Sequence, residues 1–208
     1  MDESFIYEIK NNLPANLCKA IIKKFESSPE HYEHGRVGIF PVNKQWKDST
    51  EIHIEKYEEW RRAYIKLSYF LSLGIKEYRE EIKKFVDKTC GIDGDTNFAL
   101  HFSIGSEHFH RDLNIQKIRK GSRYRWHNDY DDNTPDRVAT IMWYLNTLEE
   151  DEGGKTAFIN GRKVRPEEGK LLIFPSTWSA IHCGELIKAE SKYILVGALY
   201  RQHMEFKE

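Results

Sequence analysis

The sequence predicts an α+β chain in which an N-terminal helical layer buttresses a C-terminal sandwich or jelly roll. Three observations carry this expectation. Apolar residues in the first half recur at helical spacing. The second half breaks into short runs rich in β-branched and aromatic residues. Turn chemistry separates those runs with no helical stretch between them, which is the grammar of a sandwich or jelly roll. We expect a single domain over 1–208, with 1–95 a mainly helical support and 96–205 the jelly-roll core.

The elements follow in order. Leu13-Pro14 opens a helix, because proline suits a first turn, and Leu17, Ile21 and Phe25 share a face before Ser27-Ser28-Pro29 stops it. Positions 31–54, with Gly35, Gly38 and Pro41, read as loops and short strands. From Glu55 to about Lys88 the spacing is helical again. Tyr57, Trp60, Tyr64, Leu67 and Leu71 form one stripe, Ile75, Tyr78, Ile82 and Phe85 another, and Gly74 reads as a break. Such stripes pack against a sheet and are not expected to bind a ligand. Strands are expected at Phe98–Phe102, Leu113–Ile118, Tyr124–Tyr130, Val138–Leu145, Thr156–Ile159, Lys170–Phe174 and Tyr193–Tyr200. Lys120-Gly121-Ser122, Glu152-Gly153-Gly154, Asn160-Gly161 and Glu168-Gly169 supply turns between them.

Composition removes several function classes. With 208 residues the chain can bury a proper core. The net charge of -1 gives no global basic field, so a nucleic-acid partner is not expected. Apolar runs such as Leu171-Leu172-Ile173-Phe174 are too short to span a bilayer, and the acidic start MDESFIYEIKNN does not resemble a signal peptide. The scattered Cys18, Cys90 and Cys183 form no CxxC pair or disulfide framework, so a cytoplasmic setting is the expectation. Oligomeric state stays open.

The chemistry is concentrated in Arg123-Tyr124-Arg125-Trp126-His127-Asn128-Asp129-Tyr130. On a strand, residues two apart share a face, so the His127 imidazole and Asp129 carboxylate can converge on one ion. A third ligand from a distant strand would complete two histidines and a carboxylate, the facial triad of non-haem Fe(II) oxygenases. His182, in Trp178-Ser179-Ala180-Ile181-His182-Cys183-Gly184, is the best candidate. A second His-x-Asp, His110-Arg111-Asp112, imitates a kinase catalytic loop, but Lys117 stands where that loop needs asparagine and no glycine-rich phosphate loop precedes it. It reads as surface and turn chemistry. His31, His34, His53, His101, His108, His110 and His203 are read as surface or satisfied core.

An ordered set of motifs then surrounds the first triad: Tyr124-x-x-His127-x-Asp129, Tyr144-Leu145-Asn146, Gly153-Gly154-Lys155-Thr156-Ala157-Phe158, His182-x-Gly184 and the late Lys192. From about Asn114 to Tyr200 the chain resembles the prolyl 4-hydroxylase branch of the Fe(II)/2-oxoglutarate dioxygenases. The resemblance implies a double-stranded β-helix, with His127, Asp129 and His182 as iron ligands. It implies that Lys192 pairs with the distal carboxylate of 2-oxoglutarate, with Tyr124, Tyr144 and Thr140 lining the same pocket. Iron, one carboxylate and a bound dianion leave about one negative charge, which Lys192 offsets. In the family, O2 and 2-oxoglutarate hydroxylate a C–H bond with release of succinate and CO2, and ascorbate is a candidate reductant.

Trp126, Trp143 and Trp178 are candidates for a substrate mouth, as is Asp131 in an acidic turn able to attract a basic peptide. Ile118, Val196 and Lys155 depart from the family pattern and leave the substrate class open. The expected substrate is a prolyl residue in a protein or peptide. The alternatives are the same chemistry on a free amino acid or metabolite, or a non-catalytic jelly-roll binding module.

Overall fold

The computed structural model describes residues 4–36, 41–90, 109–130 and 135–201. In chain order they form β1 (Tyr7–Ile9), α1 (Ala15–Glu26), β2 (Glu33–His34), β3 (Thr50–His53), α2 (Arg61–Cys90), β4 (Phe109–Arg119) and β5 (Tyr124–His127). There follow β6 (Arg137–Tyr144), β7 (Thr156–Phe158), β8 (Lys163–Val164), β9 (Leu171–Pro175), β10 (His182–Gly184) and β11 (Ser191–Tyr200). The strands make a seven-stranded sheet ordered β1-β9-β6-β11-β4-β3-β2 and a four-stranded sheet ordered β5-β10-β7-β8. Every pairing is antiparallel. This is the α+β jelly roll expected, although the segment before residue 95 contributes three strands to the large sheet as well as its helices. The strand expected at Phe98–Phe102 lies outside the described residues.

Two apolar layers hold the fold. One lies between the helices and the outer face of the large sheet, where Phe25, Trp60, Leu67, Leu71 and Tyr78 meet Ile115, Ile141, Ile173 and Leu195. The other lies between the sheets, where Phe158, Leu172, Phe174 and Ile194 pack together. Both layers draw on the same strands, because alternate residues of β6, β9 and β11 face opposite sides.

Pro14 is extended at the head of α1, and Cys18, Ile21 and Phe25 form its buried face. The segment expected to be one helix from Glu55 begins as two short 3-10 turns, Ile54–Lys56 and Glu58–Trp60, before α2. Gly74 does not break α2. A Cβ there would lie 2.4 Å from Leu171 Cδ2, so the glycine lets the helix settle onto β9. Trp143, expected near a substrate mouth, is instead fully buried in the helix-side layer, and its indole N–H donates to Asn12 Oδ1 at 2.7 Å. The cause is strand alternation: Trp143 faces away from its neighbours Met142 and Tyr144.

Candidate metal centre

His127 ends β5 and His182 begins β10, and these two residues are direct partners across the antiparallel pair. Asp129 is not on a strand as expected, because β5 stops at His127. Its position comes from a tertiary bond, its backbone N–H donating to Ser176 O at 3.1 Å. The result is one cluster: a ligand atom from each of the three residues lies within 4.8 Å of the others. His127 Nε2 is 3.5 Å from Asp129 Oδ1, and His182 Nε2 is 3.8 Å from Asp129 Oδ2.

Hydrogen bonds decide which ring atoms face inward. His127 Nδ1 lies 2.7 Å from Arg125 O, and His182 Nδ1 lies 3.0 Å from Ala180 O. A carbonyl only accepts, so both Nδ1 atoms carry the proton. In the neutral rings both Nε2 lone pairs then point at carboxylate oxygens, an arrangement that repels unless a cation sits between them. Burial pushes His182 down to about 4, with Asp129 opposing, so it is neutral near pH 7. Burial raises the Asp129 carboxyl, but the His182 and His127 rings in their protonated forms, together with the Arg137 guanidinium, outweigh it and hold the group well below the usual carboxylate range. Three converging lone-pair donors, two nitrogen and one oxygen, fit a first-row divalent cation.

Asp129 is braced further. Thr140 Oγ1 donates to its Oδ2 at 2.6 Å and lies 3.0 Å from Ser176 Oγ, while Arg137 is 3.9 Å from the same Oδ2. Tyr124 stacks on the His127 ring with centroids 3.6 Å apart.

The cluster opens into a cavity of about 560 Å³, within the usual range for a small-molecule site. Lys192 lies in its wall, fully desolvated, with Nζ donating to Gly154 O at 2.6 Å and 5.2 Å above the Tyr144 ring. Among the described residues no carboxylate pairs with it. Burial pushes its ammonium down from 10.5 to about 7, with Glu185 and Cys183 opposing. A buried ammonium is costly unless an anion pairs with it.

Of the residues expected at the pocket, Tyr124, Thr140 and Lys192 line it. Tyr144 lies beneath, its hydroxyl committed to Thr156 Oγ1 at 2.7 Å, and Thr156 is the residue that reaches the cavity. Thr140 is committed to Asp129, so it braces that carboxylate. Trp126 and Trp178 are exposed and outside the lining. Asp131 lies outside the described residues. His110-Arg111-Asp112 falls at the start of β4.

Sequence reasoning passed over Arg137, Ser176 and Thr156, although each stands beside a quoted motif. It also passed over the cavity wall built by β3 and β4, where His53, Asn114 and Gln116 face inward. Strand alternation was the available signal for Asn114 and Gln116, since Leu113, Ile115 and Lys117 point the other way.

Residues 113–200, which hold all three cluster residues, match the 2OG-Fe(II) oxygenase superfamily. Over those residues the chain is similar to that superfamily. No curated protein sequence matches it significantly. Its fold is similar to that of a Trichoplax adhaerens prolyl hydroxylase in complex with a hypoxia inducible factor oxygen degradation domain peptide fragment. That similarity has a TM-score of 0.71 at 16% identity, covering 96% of this chain and 84% of that one. A Pseudomonas putida prolyl-4-hydroxylase gives 0.63 at 16% identity over 96% and 94% of the two chains. The viral collagen prolyl hydroxylase of Paramecium Bursaria Chlorella virus-1, in its 2OG complex, gives 0.58 at 18% identity over 97% and 98%. For a 2OG-Fe(II) oxygenase, Fe(II), 2-oxoglutarate and O2 are the reactants that the family uses.

Proposed function

We propose that this oxygenase hydroxylates a C–H bond, with a prolyl residue of a protein or peptide as its target, and that His127, Asp129 and His182 hold its iron. The observation that carries the reading is the pair of Nε2 atoms, each opposite a carboxylate oxygen, both rings fixed by Nδ1–H bonds to carbonyls. The prolyl target is supported by the fold shared with prolyl hydroxylases.

Bound iron supplies the O2 chemistry, converting 2-oxoglutarate to succinate and CO2 and placing one oxygen atom in the substrate C–H bond. The protein's share is positional. Thr140 bonds the Asp129 carboxylate and Ser176 O holds the Asp129 backbone N–H, leaving the carboxylate charge directed at the two nitrogens. Lys192 meets the distal carboxylate with a charge-assisted hydrogen bond, and its distance in register from Thr140 along β11 and β6 sets the line on which the diacid lies. Met142, Ile118, Ile194 and Val196 keep that line apolar and exclude water.

The test is anaerobic addition of Fe(II) and 2-oxoglutarate to the apoprotein, followed by the visible iron-to-2-oxoglutarate charge-transfer band. Wild type and His110→Ala should show it, and Asp129→Ala and His182→Ala should lose it. A wild type without the band would reduce the reading to a binding module on a shared fold. A band with no product of +16 mass from prolyl peptides would move the substrate to a free amino acid or metabolite.

A further inference from the structure

The β3–β4 side of the cavity differs from the rest of its lining. Across the large sheet the register aligns Glu51, Gln116, Ile194 and Tyr144 in one row and His53, Asn114, Val196 and Met142 in the next. The β11 and β6 members of these rows are apolar or have their polar group committed. The β4 members are two carboxamides, both more than nine-tenths buried and both lining the cavity.

The two amides are in different states. Asn114 Nδ2 donates to Glu51 Oε2 at 2.6 Å, and Glu51 is in turn held by Lys47 at 2.7 Å and by the Ser49 hydroxyl. Burial raises the Glu51 carboxyl, but Lys47 and these hydrogen bonds reverse it, so the group stays ionised and keeps the Asn114 amide oriented. That network is a rigid polar base. The Asn114 Oδ1 atom itself is buried without a partner among the described residues. Gln116, two residues on and facing the same way, is 7% exposed as a residue and lines the cavity, and its amide makes no hydrogen bond to another described residue. An amide that lines a cavity without a protein partner is available to pair with a ligand there.

We propose that Gln116 is a specificity-determining residue of this oxygenase, reading an amide group of the substrate, a deduction that rests on the function proposed above. An uncharged carboxamide offers one acceptor and two donors, and another amide returns both. A carboxylate would return only acceptors, and a cation only donors. Lys192 on β11 and Thr140, the β6 residue bonded to Asp129, stand on the β11–β6 side of the cavity, so the β4 flank is left for the substrate. The amide can come from the main chain of a peptide or from a side-chain carboxamide on a free amino acid.

The experiment is calorimetric, on Zn(II)-loaded protein with 2-oxoglutarate bound, so that nothing turns over. Two probe pairs exchange an amide for an ester at constant shape: N-acetylproline methylamide against N-acetylproline methyl ester, and glutamine against glutamate γ-methyl ester. Wild type is expected to prefer the amide of one pair by about fivefold, the size of one or two net hydrogen bonds. The preferred pair identifies the source. Gln116→Met should bring that ratio to about one while 2-oxoglutarate affinity stays unchanged. Gln116→Asn, which withdraws the amide by one methylene, should do the same and decides the matter if the methionine variant does not fold. No preference in wild type, or a preference that survives both variants, overturns the proposal. So does a Gln116→Met whose defect is in 2-oxoglutarate affinity, which assigns the residue to the cosubstrate. Failure of 2-oxoglutarate to bind wild type would sink the oxygenase reading, and the amide-to-ester ratio measured without it still decides the subsite.

Discussion

Lys192 shows how a single residue couples chemistry to stability. Its pKa is about 7 in the folded, ligand-free protein and near 10.5 unfolded. Between those values the unfolded chain binds a proton that the folded chain lacks, so this group makes stability rise with pH across that window. Below about pH 7 the cost of the buried charge is fully present. Lys192→Met should therefore raise the Tm of ligand-free protein at pH 6 by a few degrees and abolish 2-oxoglutarate binding. A thermal melt with and without the diacid checks both, and a lower Tm would contradict the assignment. On the proposed pairing of Lys192 with 2-oxoglutarate, wild-type affinity for the diacid should fall as pH rises above about 7. Thr140 makes a second case. Thr140→Val removes the donor to Asp129 Oδ2, and should weaken metal binding by about 10- to 100-fold, the usual effect of losing a bond that orients a ligand. A Zn(II) titration reads it, and unchanged affinity would mean that Ser176 holds Asp129 alone. Lys192 and the three cluster residues were legible in the sequence because motif order marked them. Ser176 and Thr156 were not, since a serine and a threonine acquire these roles only through what the fold places opposite them.

At the scale of elements, close approaches explain the glycines better than turn grammar does. Gly169 has φ 79°, and a Cβ there would meet Leu13 O at 2.2 Å, where the approach to α1 is tied by the Leu13 N–H to Gly169 O bond. Gly121 has φ 83° with nothing within 4 Å. Gly169→Ala should cost about 1–3 kcal/mol or more, and Gly121→Ala distinctly less, because only the first adds a clash with backbone to the left-handed strain. Urea unfolding of both variants measures the difference, and equal losses would place the whole effect in φ. The helical spacing that marked α1 and α2 was readable because each buries one face. β1 and β10 were missed, and their pairing with β9 and with β5 and β7 is what makes them strands.

For the whole molecule, the N-terminal strand acts as a clasp. β1 covers the edge of β9, Glu8 bonds Arg162 and the buried Lys170 at 2.9 Å each, and Asn12 accepts from the Trp143 indole. Removing residues 1–12 would bare the edge of an apolar strand, Leu171–Pro175, and leave Lys170 short of a counter-charge. Such edges template aggregation. The truncated protein should melt at lower temperature and form concentration-dependent oligomers by size-exclusion chromatography. A monodisperse protein with an unchanged Tm would count against the clasp.

Sequence alone determined the fold class and singled out the residues that form the cluster, because hydrophobic period and motif order are local properties of a chain. Only the tertiary structure decided how they act. It moved Asp129 off its strand and onto Ser176, buried Trp143 against the helices, set Thr156 in front of Tyr144 and turned Gln116 into the cavity. Each of these depends on which group arrives from a distant strand, and hydrogen bonding and burial are settled by that encounter.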